Sequence, residues 1–398
     1  MFARIAFLSA VLAIAVAAAL LAGLYSGYQR NWLLGAVFGA FIDVREVIDT
    51  LKSEAGEPIK FLQPARGPGV GVTVDRLADG SLVLVIGFID GSNRVRLMQR
   101  DGAIVADWPV SYEKLFPDTS HLRQPPHDDW HIDLHSGLID PDGSVVVNFE
   151  YVGTVKLSRC GETEWVLRHP THHSVEPAGR GGYWIPGRIE HRDVPPELYP
   201  PFTELVGYGM REDLILRVSG DGEIVERKSV VTLLYDNGLE PLLTSTGYVF
   251  RGVPGYAVDG NGTWIDEEIV HLNKIGELPA ALAGRFLLFE AGDLVLSLRN
   301  YNLVMVVDPD DWRVKWYRVG PWRRQHDPDF EPDGRISVFN NNAYLSGQVH
   351  RSPGTSSGSN IMLVDPVSGD VEVGYGDARD QAMLSYIRGK HQRTENGV

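Results

Sequence analysis

Cysteine is almost absent: Cys160 is the single one in 398 residues. No intrachain disulfide can form, so stability has to come from packing. Cys160 lies in KLSRCGETEW, a strand followed by a turn, with no His/Cys metal spacing around it, and a buried structural thiol is expected there. Positive charge is also scarce. Lys and Arg number 37 against 52 Asp and Glu, giving a formal net charge of −15. That argues against a nucleic-acid partner, because a phosphate backbone needs a basic face. A glycine-rich phosphate loop is missing, so a nucleotide donor is not indicated, and there is no HExxH metal motif. Helical periodicity largely disappears after Val70.

What the chain does have begins with Ile5–Tyr25, 21 residues without a charge. At about 1.5 Å per residue, a helix of that length crosses a ~30 Å hydrocarbon layer. An uncleaved anchor is favoured over a signal peptide, because the small-x-small sites at Ala13–Ala15 and Ala17–Ala19 fall inside the run. Arg4 sets the N-terminus in the cytoplasm and places the remainder in the periplasm, as a single-pass inner-membrane protein. In Gln29–Glu54, Leu33, Val37, Phe41, Val44, Val47 and Ile48 recur at helical spacing and mark an amphipathic helix. The organisation expected is an anchor over 1–28, a helix and linker over 29–57, and an all-β domain over 60–398.

From Val70 onward, short alternating runs lie between turns. Asp-Gly pairs stand at Asp79-Gly80, Asp101-Gly102, Asp142-Gly143, Asp221-Gly222 and Asp333-Gly334. An Asp-Gly pair between alternating runs is a strong hairpin signal, read here as a two-residue turn with both residues at positive φ. Larger units begin near Val72, Trp130, His172, Val270, Gln325 and Gly389, a period suited to propeller blades. The fold expected is a six-bladed β-propeller. Its last unit, GKHQRTENGV, stops where a strand should begin: either strands around Lys60–Val74 complete the blade or the chain lacks its natural end. Inserts at Ile189–Met210 and Tyr235–Asp266 would form a rim. Trp312, Trp316 and Trp322 are expected to pack within or between blades.

Each of five histidines opens a unit: His135, His173, His271, His326 and His391. Innermost strands line a propeller's channel, so these positions should converge. Clustered imidazoles can bind a transition metal or act as nucleophile and proton shuttle. A metal site on His173, His271, His326 and His391 is one use of the set. Arg188 and Arg299 favour another, because guanidinium forks suit sulfate or phosphate oxygens. With arginine beside a histidine nucleophile, transfer of a sulfuryl or phosphoryl group fits best.

Several of these residues form an ordered series: HH at His172-His173, then His271-Leu-Asn273, VLSLRN with Arg299, and Gln325-His326 followed by DG and SVFNN. The series resembles the bacterial arylsulfotransferases and covers most of Val70–Val398. The resemblance implies a six-bladed, exported propeller that moves a sulfuryl group from a phenolic sulfate ester to a phenol through a sulfated histidine, without nucleotide or other cofactor. It implies His326 as nucleophile, His271 and Arg299 as holders of the sulfuryl oxygens, and His173 as a further oxygen ligand or proton partner. Asn273, Arg188 and His391 are the candidate substrate contacts. The partners implied are a small phenolic or sulfated molecule and the membrane, with a homo-oligomer or envelope complex open. The alternative is a non-catalytic propeller that binds a ligand or serves as a scaffold.

Overall fold

A computed structural model describes residues 80–190, 211–243, 270–342, 358–378, 381–385 and 387–394, together with Gly23, Tyr25, Ile48 and Leu51. Two compact units divide the chain: residues 1–62 with 259–261, and the rest. Of the first unit, the four described residues are helical. The expected anchor Ile5–Tyr25, most of Gln29–Glu54, the first strand near Val72 and most of both inserts lie outside the described residues. No helix among the described residues is long and apolar enough to cross a membrane.

The second unit is a β-propeller, of which five blades are described. The first has three strands, β1 (Val83–Ile89), β2 (Ser92–Met98) and β3 (Ile104–Pro109). The second is β4 (Leu134–Ile139), β5 (Val145–Phe149), β6 (Gly153–Leu157) and β7 (Thr163–Leu167). The third comprises β8 (Glu176–Pro177), β9 (Tyr183–Glu190), β10 (Arg211–Val218) and β11 (Ile224–Ser229). The fourth comprises β12 (Leu272–Glu277), β13 (Leu294–Leu298), β14 (Leu303–Val307) and β15 (Val314–Val319). The fifth comprises β16 (His326–Phe330), β17 (Ile336–Asn340), β18 (Asn360–Val364) and β19 (Val371–Tyr375). All neighbouring strands are antiparallel and consecutive in sequence.

Blades stack face to face in chain order, and a separate apolar cluster fills each junction. Val95 and Trp108 meet Val145 and Phe149; Val146 and Leu167 meet Ile185 and Leu216. Trp184 and Ile215 meet Leu296 and Met305; Val304 and Val306 meet Ile336 and Val338. Middle strands therefore lose the alternation expected of a half-buried sheet. Every residue of β5, β13, β14 and β17 is buried, because both faces are covered by neighbouring blades. Each such Val or Leu contributes about 1.5–3 kcal/mol. Alternation survives on outer strands such as β11. Trp322 is buried within a cluster, with Trp316 and Trp312 packed at cluster edges. Other tryptophans latch blade to blade: Trp108 Nε1 donates to the Arg159 carbonyl at 3.2 Å, and Trp165 Nε1 to the Gly220 carbonyl at 2.8 Å.

The hairpin turns differ from the expected two-residue form. At four of the five pairs only the glycine has positive φ, Gly102 (93°), Gly143 (85°), Gly222 (86°) and Gly334 (83°), whereas Gly80 has none, contrary to expectation. In these four the glycine N–H bonds back three residues, as from Gly143 to the Asp140 carbonyl at 2.9 Å and from Gly334 to Glu331 at 3.0 Å. This is a type I turn closed by a left-handed glycine. The aspartate stays right-handed and caps the chain beyond, as Asp142 Oδ1 does for Ser144 N at 2.9 Å. Cys160 occupies the same turn position between β6 and β7 and is exposed, contrary to the buried thiol expected, because the tip of a type I turn points its side chain to solvent.

Candidate active site

The candidate residues lie in or just before the first strands of the second to fifth blades. His135 lies in β4, His173 just before β8 and His271 just before β12, while His326 opens β16. These strands are not regular. Register shifts fall between Leu134 and Ser136, between Leu272 and Lys274, and between His326 and Asp329. His173 (φ 56°), His271 (φ 60°) and Asp327 (φ 47°) are left-handed although none is glycine. Bulges and left-handed residues re-aim side chains, and each strained residue costs about 1–3 kcal/mol that the surrounding sheet must offset.

The result is convergence. One nitrogen from each of His173, His271 and His326 lies within 4.8 Å of the others. His173 Nε2 is 3.1 Å from His271 Nε2, and Arg299 Nη1 is 3.2 Å from the same His271 nitrogen. Arg299 follows β13 in a short 3-10 turn (Arg299–Tyr301), and its N–H donates to the His271 carbonyl at 3.0 Å. The His135 ring lies against His173 with centroids 4.0 Å apart and planes tilted by 41°. A cavity of about 190 Å³ is lined by His135, His173, Asn273, His326, Asp327 and Arg388, among others. Three imidazoles at this spacing could hold a transition metal, but the Arg299 guanidinium in contact with one of them favours an anion.

His326 is 5% exposed, and its tautomer can be read from its partner. Its Nδ1 is 2.7 Å from Asn341 Oδ1. The Asn341 amide cannot be flipped, because its Nδ2 donates to the carbonyls of Ser385 at 3.0 Å and Arg388 at 2.6 Å. Asn341 therefore offers an acceptor, His326 carries its proton on Nδ1, and the Nε2 lone pair is left free. Burial pushes the His326 imidazole down to about 3; Arg299 adds to this, against the Asn341 bond. Its ring is thus neutral at neutral pH.

Beneath the imidazoles is an ion cluster. Lys274, 1% exposed, reaches Glu176 at 2.8 Å and both Asp327 and Asp329 at 2.9 Å. Burial lifts Asp329 to about 6, while for Asp327 the Lys274 charge outweighs burial and holds it well below the ordinary value. His391 belongs to this cluster. Its backbone N–H donates to Asp327 Oδ2 at 2.8 Å, its ring Nε2 lies 2.8 Å from Ser337 Oγ and its Nδ1 3.2 Å from Asp327 Oδ2, and against burial the Asp327 carboxylate beside the ring raises its pKa. A second cavity, about 450 Å³ and bordered by Glu176, Glu277, Asp329 and Glu331, lies beyond.

His173, His271, Arg299 and His326 thus come together, and Asn273 lines the same cavity with its amide held by the Gln325 carbonyl at 2.8 Å. Arg188 does not line it: its guanidinium lies 3.4 Å over the Tyr151 ring, and the ring of Tyr151 packs on His172. His391 is set one layer below. The structure adds Asn341, Lys274 and Arg388 to the site. The asparagine run after His326 was the one visible sign of the first; nothing in the local sequence marks a buried lysine at 274.

Residues 155–398 match the family model described as arylsulfotransferase (ASST). The chain belongs to the arylsulfotransferase family. No curated protein matches it. Solved structures similar to this arylsulfotransferase-family chain include a protein of unknown function from Bacteroides caccae, at 13% identity over 72% of this chain and 70% of that one, with a TM-score of 0.40. BamB from Moraxella catarrhalis matches at 9% identity over 66% and 52%, with a TM-score of 0.33. Virginiamycin B lyase from Staphylococcus aureus matches at 9% over 74% and 70%, with a TM-score of 0.36.

Proposed function

We propose that this arylsulfotransferase-family protein moves a sulfuryl group from a phenolic sulfate ester to a phenol through His326. The observation that carries the reading is the Asn341 contact, which leaves the His326 Nε2 lone pair as the nucleophile of a buried imidazole. In the first half-reaction, Nε2 forms a bond to sulfur as the bond from sulfur to the aryl oxygen breaks. In the second, an acceptor phenol oxygen takes the sulfuryl group and frees Nε2. Arg299 and His271 sit where the sulfuryl oxygens would carry growing charge, and preorganised donors in a water-poor site are worth far more than in solvent. The substrate is a small aryl sulfate. The alternative scaffold reading would suit a channel whose histidines diverge or are covered by apolar side chains, and neither is seen among the described residues.

In the same reading the expected sixth unit, GKHQRTENGV, is not a separate blade but completes the first of five. The first blade has three strands, and Arg388–Thr394 runs between the fifth and second blades: His391 bonds Asp327, and Arg388 reaches Asp133 and Glu150. That is the place of a missing innermost strand. Ile5–Tyr25 anchors the protein in the inner membrane, with the propeller in the periplasm.

The test is direct. With an aryl sulfate donor, the peptide bearing His326 gains one sulfuryl group, and phenol acceptors discharge it with ping-pong kinetics. Transfer that survives His326→Ala would remove the assignment.

A further inference from the structure

The loop that joins the first blade to the second carries side chains that the sulfuryl-transfer reading does not use. It runs from the short helix Tyr112–Leu115 to β4 and contains the run HDDWH, His127 to His131. The middle of that run is pinned. Asp129 accepts from the Ser111 hydroxyl at 2.6 Å and from the Tyr112 N–H, and its carbonyl accepts from Asn93 Nδ2 at 2.9 Å. Trp130 beside it is 9% exposed. Asp128 Oδ1 caps the turn, accepting from the N–H groups of Trp130 at 2.9 Å and His131 at 3.2 Å. With the backbone held in this way, three side chains are brought together. Asp128 Oδ1 is 2.7 Å from His131 Nδ1, and Asp128 Oδ2 is 3.2 Å from His127 Nδ1. The two imidazoles meet edge to face with centroids 5.6 Å apart, and the His131 ring is braced edge-on by Trp130 at 5.0 Å. The turn needs only the aspartate; it gives no reason for an imidazole on either side of it.

We infer that His127, Asp128 and His131 form a binding site for a divalent transition-metal ion of the zinc class. One ligand atom from each residue lies within 4.8 Å of the other two. Ligands of a tetrahedral zinc ion stand about 3.3 Å apart, so side-chain movements of about 1.5 Å or less close the set on one ion. Two imidazoles and a carboxylate leave the fourth position for water. Nitrogen ligands also select against calcium and magnesium, which take oxygen. As the ion binds, the proton held between His131 Nδ1 and Asp128 leaves to solvent. The way in is open: the side chains of His127, Asp128 and His131 are 63%, 22% and 18% exposed. The net charge of −15 favours a cation over the chain as a whole. The cluster of His173, His271 and His326 differs on this point, because the Arg299 guanidinium in contact with His271 opposes a cation there. Residues 127–131 also precede the stretch 155–398 that matches the arylsulfotransferase family, so the site is a feature of this chain and not one carried over from that match. The ion staples the connection between two blades, just ahead of Asp133, which pairs with Arg388.

The test uses the full-length protein stripped of metal with a chelator. Calorimetric titration with Zn2+ should give one ion per chain with a Kd of about 10 μM or below. His127→Ala and His131→Ala should each weaken binding by at least about 10-fold. Asp128→Asn keeps an oxygen to cap the turn and loses the charge; it should weaken binding by about 10-fold while leaving the Tm of the metal-free protein unchanged. Cu2+ used in place of Zn2+ should show two nitrogen ligands by electron paramagnetic resonance, and one in either histidine variant. His326→Ala should keep the affinity within about 2-fold of the parent, which separates the loop from the histidine cavity. A parent Kd above about 1 mM would overturn the site. So would an affinity unchanged by His127→Ala and His131→Ala, or binding lost in His326→Ala instead. Displacement of Zn2+ by excess Ca2+ would overturn the nitrogen ligation. None of these readouts depends on sulfuryl transfer.

Discussion

Replacing Asn341 by leucine is the sharpest probe of the nucleophile. Asn341 does two things: its oxygen accepts from His326 Nδ1 at 2.7 Å, and its amide nitrogen ties down the Ser385 and Arg388 carbonyls. Leucine fills the same volume and removes both. The buried Nδ1–H loses its partner, at a cost of about 1–3 kcal/mol. That penalty falls on one tautomer only, so the balance between Nδ1–H and Nε2–H shifts by roughly 5- to 150-fold toward the form with no lone pair at Nε2. The structural cost is smaller. The Ser385 carbonyl keeps the Ser359 hydroxyl at 3.1 Å, and the Arg388 carbonyl keeps the Ser385 hydroxyl at 3.3 Å. A net loss near 1 kcal/mol should lower Tm by about 2–4 °C for a domain of this size. Transfer from p-nitrophenyl sulfate to phenol, followed beside thermal unfolding, separates the two effects: kcat/KM should fall about 10- to 100-fold in a protein that remains folded. A folded Asn341→Leu variant with kcat/KM within about 2-fold of the parent would show that Asn341 does not set the tautomer, and the lone-pair argument would fail.

Three further outcomes follow from other features. Lys274→Met leaves buried Asp327 and the part-buried Glu176 and Asp329 without the lysine, with Lys390 still near Glu176 and His391 near Asp327, and should destabilise by about 3 kcal/mol, read as a lower urea midpoint; an unchanged midpoint would mean the cluster is hydrated. Burial also sets an acid limit. His326 and His169 are depressed to about 3 and about 4, so between those values and the ordinary 6.5 the unfolded chain binds more protons than the folded one. Stability should therefore rise with pH across that window and be lost as pH falls from 6.5 toward 4, and a flat urea midpoint there would contradict the burial assigned to these rings. Gly334→Ala adds a Cβ 2.6 Å from the Arg285 carbonyl at a φ of 83°, so it should destabilise by more than about 1 kcal/mol, whereas Gly220→Ala, where nothing lies within 4 Å, should be nearly silent.

The sequence makes the repeat legible because a propeller writes its geometry locally. Each blade needs left-handed glycines at its hairpins and places its first strand at the axis, so Asp-Gly pairs and unit-opening histidines recur in order. That order alone marks five unit-opening histidines, and the choice of His326, His271, His173 and Arg299 rests on the resemblance to the arylsulfotransferases. What stays hidden depends on contacts between distant strands. His172 Nε2 meets Asp213, 41 positions later by subtraction of their numbers, only because β9 and β10 pair. Lys274 reads as a solvated strand residue until the register shift beside Leu272 turns it inward. Arg188 has the right chemistry in the wrong layer, held over Tyr151. His391 shows the reverse: its position at the start of a unit was readable, but its attachment to Asp327 was not.

The Lys274 cluster has a consequence for traffic. Its three ion pairs stand between the histidine cavity and the larger cavity beyond, so the axis is stoppered rather than bored through. On the proposed sulfuryl-transfer reading, donor and acceptor would then come and go by the same doorway, with the first phenol clearing it before the second arrives while the sulfuryl group waits on the protein.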